Sequence, residues 1–411
     1  MLFRIKQAIS DLCFIFVQEL KNVFRDEGVL IFFILVPLGY PLLYGWIYNN
    51  EGIKDVPTAF VDESHSFLSR EFIRKCDATD GIQVAAVLGN LEDAREMQRR
   101  QDCHGIVYIP SDFGTKINLK EQTNVKFFAD MSGMLYFKSI LAANTNVSLA
   151  MNAEIKVQRA GGGTKEQQEV VRHPLTYDEV ALFNPHAGFA VFLIPAVLVL
   201  VLQQTLVLGA GMEAGTMREE NLHRRMQPVQ RRRGGLWRLV AHQAGRYLLV
   251  YVPMSVYVLA VVPHLFRLPQ LADPWQLGLF VFPFLLACAF FAITVSGLVR
   301  HRETGIVLVV FSSAPLLFVS GISWPGSAMP PVWEALSYLF PSTFGIRGFV
   351  AMNNMGAPLH DVMHAWLMLW VQTIIYALSA MAVTAWSVAR SRRQAIRERT
   401  EARRRRLALM Q

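Results

Sequence analysis

Cysteine is scarce: four in 411 residues, none at metal-ligand spacing, so the sequence offers no zinc or iron–sulfur framework. No Gly-x-x-x-x-Gly-Lys-Ser/Thr loop occurs, and without that phosphate cradle the chain is not expected to hydrolyse a nucleoside triphosphate itself. Charge is also thin. Asp, Glu, Lys and Arg make up 18 % of the residues, against roughly 25 % in soluble domains. The deficit is local. Several stretches of bilayer-spanning length carry no charged side chain, and a helix needs about 20 mostly apolar residues to cross about 30 Å of hydrocarbon. No cluster of His, Asp and Glu suggests a catalytic centre or a bound cofactor.

Hydrophobic residues account for 53 % of the chain and fall in blocks. Six spans are predicted: Val29–Tyr48, Ala187–Met212, Tyr247–Val262, Trp275–Val299, Gly305–Ile322 and Val362–Ala389. Tyr40, Tyr44, Trp46 and Tyr48 gather at the end of the first, where amphipathic rings favour the headgroup region. That span follows a charged helix and contains Pro37 and Pro41, so it reads as a retained anchor rather than a cleaved signal. Residues 1–28 form an amphipathic helix with apolar side chains at Ile5, Ile9, Leu12, Phe16, Leu20 and Phe24, suited to a membrane interface or to ordinary packing.

The net charge of +8 follows the spans, which argues for membrane topology and against nucleic-acid binding. Arg218, Arg224, Arg225, Arg231, Arg232, Arg233 and Arg238 lie between spans two and three, Arg300 and Arg302 between four and five, and nine arginines from Arg390 to Arg406 follow span six. The alternate loops hold Arg267 and Arg347 alone. Six spans with both termini in the cytoplasm satisfy the positive-inside rule at every loop. Segment 390–411 then reads as a basic tail that meets anionic lipid.

The same topology puts residues 49–183 outside the cytoplasm. Short strands at Val56–Val61, Ile82–Leu88, Gly105–Ile109 and Val125–Ala129 alternate with helices at Phe67–Cys76, capped by Ser64 or Ser66, and Leu91–Gln101, capped by Asn90. A longer helix is expected over Phe137–Val157. The fold class is therefore mainly α: a polytopic membrane protein of six transmembrane helices with an inserted extracytoplasmic α/β domain. Within the domain, Asp62, Glu63 and His65 are close in sequence, but solvated charges at a strand end explain them better than a metal site. Cys76 and Cys103 are a candidate disulfide in an oxidising compartment, which requires Cα atoms within about 7 Å.

Spans one to five show no ionisable group between their ends, and His364 sits at the outer end of span six. Ion-coupled transport usually needs such groups in the membrane. Gln203, Gln204 and Thr205 on span two, and Gln372 and Thr373 on span six, are polar groups that either bond between helices or line a path. Segment 323–347, with Pro325, Pro330, Trp333, Glu334, Pro341 and Arg347, cannot be one regular helix and reads as an outer re-entrant segment in which Glu334 and Arg347 are a candidate pair.

Four segments carry a family resemblance: "VPTAFVD" (Val56–Asp62), "GIVYIPSDF" (Gly105–Phe113), "MEAGTMREENLHRRMQP" (Met212–Pro228) and "VSGISWPGSAMPPVWEALSYLFPSTFGIR" (Val319–Arg347). In their order and positions the chain resembles type-2 ABC transporter permeases, the subgroup with a large extracytoplasmic domain between the first two transmembrane helices. The third segment is less charged before its Gly than the family's usual form. The resemblance implies an exporter permease with no cofactor of its own, paired with a separate ATP-binding cassette ATPase that binds ATP and Mg. It implies a homodimer, or a heterodimer with a similar permease, in a bacterial inner membrane, with a periplasmic adaptor protein as a further expected partner. It makes 212–242 the coupling loop, in which Glu213, Gly215, Thr216, Arg218, Glu219 and Glu220 would form a polar helix seated in an ATPase groove. A membrane receptor or assembly scaffold whose outer domain binds a ligand is the alternative reading, and six spans weigh against it.

Overall fold

The computed structural model describes residues 27–48, 53–161, 164–172, 182–184, 188–219, 235–299, 301–321, 324 and 326–408. The N-terminal helix expected before residue 27, and Pro325, lie outside them. The chain divides into two compact units, residues 1–49 with 182–411, and residues 50–181.

Among the described residues the first unit contains six helices long and apolar enough to cross a membrane. Helix α1 comprises Glu27–Leu30, a π-helical turn over Ile31–Leu35, and Val36–Tyr48. The inserted unit follows, with strands β1 (Val56–Asp62), β2 (Ile82–Leu88), β3 (Gly105–Ile109) and β4 (Lys126–Ala129). Its helices are α2 (Phe67–Asp77), α3 (Leu91–Arg99), α4 (Phe113–Asn118), α5 (Met134–Arg159) and α6 (Lys165–Arg172). The chain then returns to the first unit as α7 (Phe189–Glu219), α8 (Gly235–Val256, extended by Tyr257–Val261 and Val262–Leu265), α9 (Pro274–Ser296), α10 (Arg302–Val319), the short α11 (Pro331–Ser337), α12 (Pro341–Met355) and α13 (Met363–Ala408).

In the inserted unit the strand order is β2-β1-β3-β4, with β1 parallel to β2 and β3, and β4 antiparallel to β3. The alternation of side chains along β1 explains why helices cover both faces. Val56 and Phe60 join Phe72, Ile73, Ile140 and Val147 on one face, while Ala59 and Val61 join Ala94 and Ile106 on the other. Ser66 caps α2 in a reciprocal capping box with Ser69, and the Asn90 side chain caps α3. Asp62 is buried and accepts hydrogen bonds from the Ser64 and His65 backbone N–H groups and from the Ser69 hydroxyl, so it organises the β1–α2 turn rather than a metal site.

The expected Cys76–Cys103 bridge is corrected by this layering. Both thiols are free; Cys76 packs under one face of the sheet and Cys103 under the other. Burial pushes the Cys76 thiol up to about 12 and raises that of Cys103, and only a thiolate is nucleophilic. Alkylation of the native protein at pH 8 followed by peptide mapping should therefore leave both unmodified, with both reacting after denaturation. A peptide pair linked through these cysteines would overturn the assignment.

Around α7 the membrane unit is built like an axle and its bearings. In its most apolar window 89 % of the residues are buried, against 22 % in α1, 17 % in α10 and 22 % in α13, so α7 is the central helix. The helices run past the span ends expected at Met212 and Tyr247: α7 continues to Glu219 and α8 starts at Gly235. Of the expected loop 212–242, both ends are helical, and residues 220–234 lie outside the described residues.

Between α10 and α13 the chain dips into the bundle and returns. Helix α12 has 15 residues, about 22 Å at 1.5 Å per residue and too short to cross. Asn354 Nδ2 donates to the Val191 carbonyl at 3.0 Å, and the Ser342 N–H donates to Gln203 Oε1 at 2.6 Å. Helix α12 therefore runs antiparallel beside α7, with its N-terminus at the middle of that helix.

Candidate functional site

The polar end of α7 is where four segments meet. Arg246, in α8, grips both carboxylate oxygens of Glu213: Nη1 bonds Oε1, and Nη2 bonds Oε2 at 2.8 Å. The Tyr247 hydroxyl donates to the same Oε2 at 3.0 Å, and the Arg246 guanidinium lies 5.0 Å from the Tyr247 ring centroid. Arg246 is 1 % exposed and Glu213 7 %. Two charges leave water at this depth only because the fork of the guanidinium matches the carboxylate and the tyrosine takes a remaining lone pair.

Aromatic packing continues the seam. The Phe33 ring, from α1, sits 5.6 Å from that of Tyr247 and 5.7 Å from that of Tyr251. It occupies the space above Gly209, where an added Cβ would lie 2.8 Å from ring carbons. Tyr251 then donates to Thr205 Oγ1 at 3.1 Å. From Thr205 to Glu213 one edge of α7 is thus fastened to α8, with α1 wedged beside it.

The other edge of α7 is fastened to α10 by close backbone approach. A Cβ on Gly211 would lie 3.4 Å from the Gly305 Cα, and one on Gly215 would lie 2.7 Å from the Cα and N of Arg302. Gly211-x-x-x-Gly215 is a small-residue stripe that lets the two helices touch. Beyond it, Arg218 Nη2 donates to the Gly297 carbonyl at 3.0 Å, and the Arg302 N–H donates to Glu219 Oε1 at 3.1 Å. His301 Nδ1 lies 3.6 Å from that oxygen.

The residues expected to form an exposed coupling helix are therefore distributed differently. Glu213 is corrected outright: it faces into the bundle as an ion pair and offers no surface to a partner. Gly215 is a helix-crossing residue. Arg218 and Glu219 tie α7 to the α9–α10 connection, Thr216 is half-buried on the same turn, and Glu220 lies outside the described residues. The sequence reading passes over Arg246 and Gly211, and has Tyr247 only as a span end and Arg302 only as a loop charge. The glycine spacing and the facing charges on neighbouring helices are the available signals; the expected spans stop one residue short of Glu213 and of Arg246.

The polar groups of the spans mostly bond between or within helices. Gln203 accepts from the Ser342 N–H, Gln372 Nε2 donates to the Tyr338 carbonyl at 2.8 Å, and Thr373 Oγ1 donates to the Leu369 carbonyl at 2.8 Å. Thr205 donates to the Val201 carbonyl at 2.7 Å while accepting from Tyr251. Gln204 is buried, and its amide nitrogen has no hydrogen-bond partner among the described residues.

In the re-entrant segment, Pro330 precedes α11, Pro341 opens α12, and Trp333 is exposed. The expected Glu334–Arg347 pair does not form. Glu334 instead accepts from the Tyr338 hydroxyl at 2.7 Å, and the Arg347 guanidinium lies 5.8 Å from the Tyr338 ring centroid. Tyr338 thus contacts each of the two charges.

Among the described residues no group of His, Cys, Asp and Glu is arranged to hold a metal ion. The chemistry available here is mechanical: a central helix tied at one end to three neighbouring segments and at its middle to a re-entrant helix. No curated protein matches the chain. The family model described as ABC-2 family transporter protein matches residues 28–382, which takes in the first five apolar helices and α13 as far as residue 382. The chain belongs to the ABC-2 transporter family, as the membrane-spanning component of an ABC transporter and not itself an enzyme.

Proposed function

We propose that this chain is the permease subunit of an ATP-driven exporter that moves its substrate out of the cytoplasm or the inner leaflet. ATP and Mg are bound by a separate cassette ATPase, and two permease chains, identical or similar, complete the membrane half. The protein resides in a bacterial inner membrane with both termini cytoplasmic and residues 50–181 in the periplasm, available to an adaptor protein. Charge supports this orientation: the loop holding Arg224, Arg225, Arg231, Arg232 and Arg233 begins where α7 ends.

The observation that carries the reading is the tied end of α7. A force applied by an ATPase to the 220–234 connection enters a helix that cannot bend away from its neighbours. The Glu213–Arg246 clasp holds α8, and the Gly215 crossing holds α10. The three segments then move as one lever, and transport by rocking requires such a lever.

Co-expression with a candidate cassette ATPase from the same genome tests the proposal. The two should co-purify in equal amounts, with ATP hydrolysis above that of the ATPase alone. Single cysteines in the domain should label with an impermeant reagent from the periplasmic side, and labelling only after cell lysis would reverse the orientation.

A further inference from the structure

The turn joining α11 to α12 lies beside the middle of α7, the most buried of the apolar helices. Irregular backbone there must find partners within the protein. It does so with side chains from two other helices. Gln372 Nε2 donates to the Tyr338 carbonyl and the Tyr376 hydroxyl to the Leu339 carbonyl, both from α13. Gln203, on α7, accepts the Ser342 N–H at 2.6 Å. The residue preceding α12, Phe340, supplies no side-chain cap, so Gln203 caps this helix from another element.

Gln203 is fully buried, and among the described residues its Nε2 has no hydrogen-bond partner; neither has the Ser342 hydroxyl. Leucine or methionine would fill the space without burying an unpaired amide N–H. The amide is therefore useful for its carbonyl, which is the link between the central helix and the re-entrant hairpin. Ten residues along the same helix, about 15 Å, is Glu213 of the clasped end.

We infer that Gln203 is a positioning residue for transport: it fastens the tip of the α11–α12 hairpin to α7, so that a displacement entering α7 at its clasped end moves the hairpin. The driving force rests on the ATP-driven reading above; the fastening does not.

A nitroxide label on Leu339→Cys, an exposed residue of the tip, reads both parts. The natural cysteines are replaced and the protein is held in lipid nanodiscs with its ATPase. Gln203→Met and Gln203→Asn, which remove or retract the acceptor, are expected to shorten the label's rotational correlation time at least threefold. Gln203→Glu, whose protonated carboxyl keeps a carbonyl acceptor, is expected to restore it to within about 1.5-fold. ATP with vanadate should change the parent's label mobility at least twofold and leave that of Gln203→Met unchanged. Equal mobility in the parent and both acceptor-loss variants overturns the inference, as does a nucleotide response that survives in Gln203→Met. If nucleotide has no effect even in the parent while the Met and Glu variants still differ, the fastening stands and the ATP-driven reading fails.

Discussion

Arg246→Met alone should destabilise the purified protein by about 3–5 kcal/mol, because it leaves the Glu213 carboxylate buried without its cation. The Tyr247 hydroxyl remains as a single donor and cannot replace a bidentate guanidinium. The double variant Glu213→Leu with Arg246→Met should recover most of that loss, since well-packed apolar residues often substitute for a buried ion pair without net cost. Thermal unfolding in detergent measures both. A double variant as unstable as Arg246→Met would show that the clasp is not a closed pair. The same double variant separates stability from function. If the clasp transmits force between α7 and α8, it will fold, bind its ATPase and hydrolyse ATP, yet export no faster than vesicles without nucleotide. Export at the parent rate would reduce the pair to a stabilising contact.

Gly215→Ala is expected to be the more damaging of two changes that look alike in sequence. Its Cβ would lie 2.7 Å from the Arg302 Cα and N, backbone atoms that cannot rotate aside. Helices α7 and α10 would have to separate, breaking the Glu219–Arg302 contact one turn further on. Overpacking of this kind costs about 1–3 kcal/mol. Gly211→Ala, with its nearest contact at 3.4 Å, should change stability by no more than about 0.5 kcal/mol. Gly245→Ala, which meets nothing within 4 Å, is the control and should cause no loss. If alanine at 215 proves as harmless as at 245, the close crossing is absent in solution.

Much of the inserted unit was legible because its signals are local. Ser66 and Asn90 cap the helices that follow them, and the apolar runs at Val56, Ile82 and Gly105 form the strands expected. Helix α4 was not foreseen: its six residues follow Pro110 and carry too little periodicity to register. The pairing of Cys76 with Cys103 failed for a non-local reason. Sequence gives the number of thiols but not which face of a sheet each helix covers.

In the membrane unit, a residue's neighbours along the chain did not reveal its neighbours in space. Glu213 and Arg246 read as the polar limits of two spans when each is taken alone. Together they cancel, and both helices continue past them. The Glu334–Arg347 pair fails in the opposite way: two opposite charges in one segment suggest a bond, but each instead meets the Tyr338 side chain.

Apolar runs of bilayer length, the arginines that border them and the strand–helix alternation between the first two spans are properties of the chain itself. They follow from the cost of placing charge or unpaired backbone in hydrocarbon, a cost paid residue by residue, and they settled a six-span membrane protein with an α/β insertion. Which helix lies at the centre, which charges meet, and which glutamine caps a re-entrant helix were decided only by the tertiary structure. Those outcomes depend on distances between segments remote in sequence, and a buried polar group acquires its role only from the partner that packing brings to it.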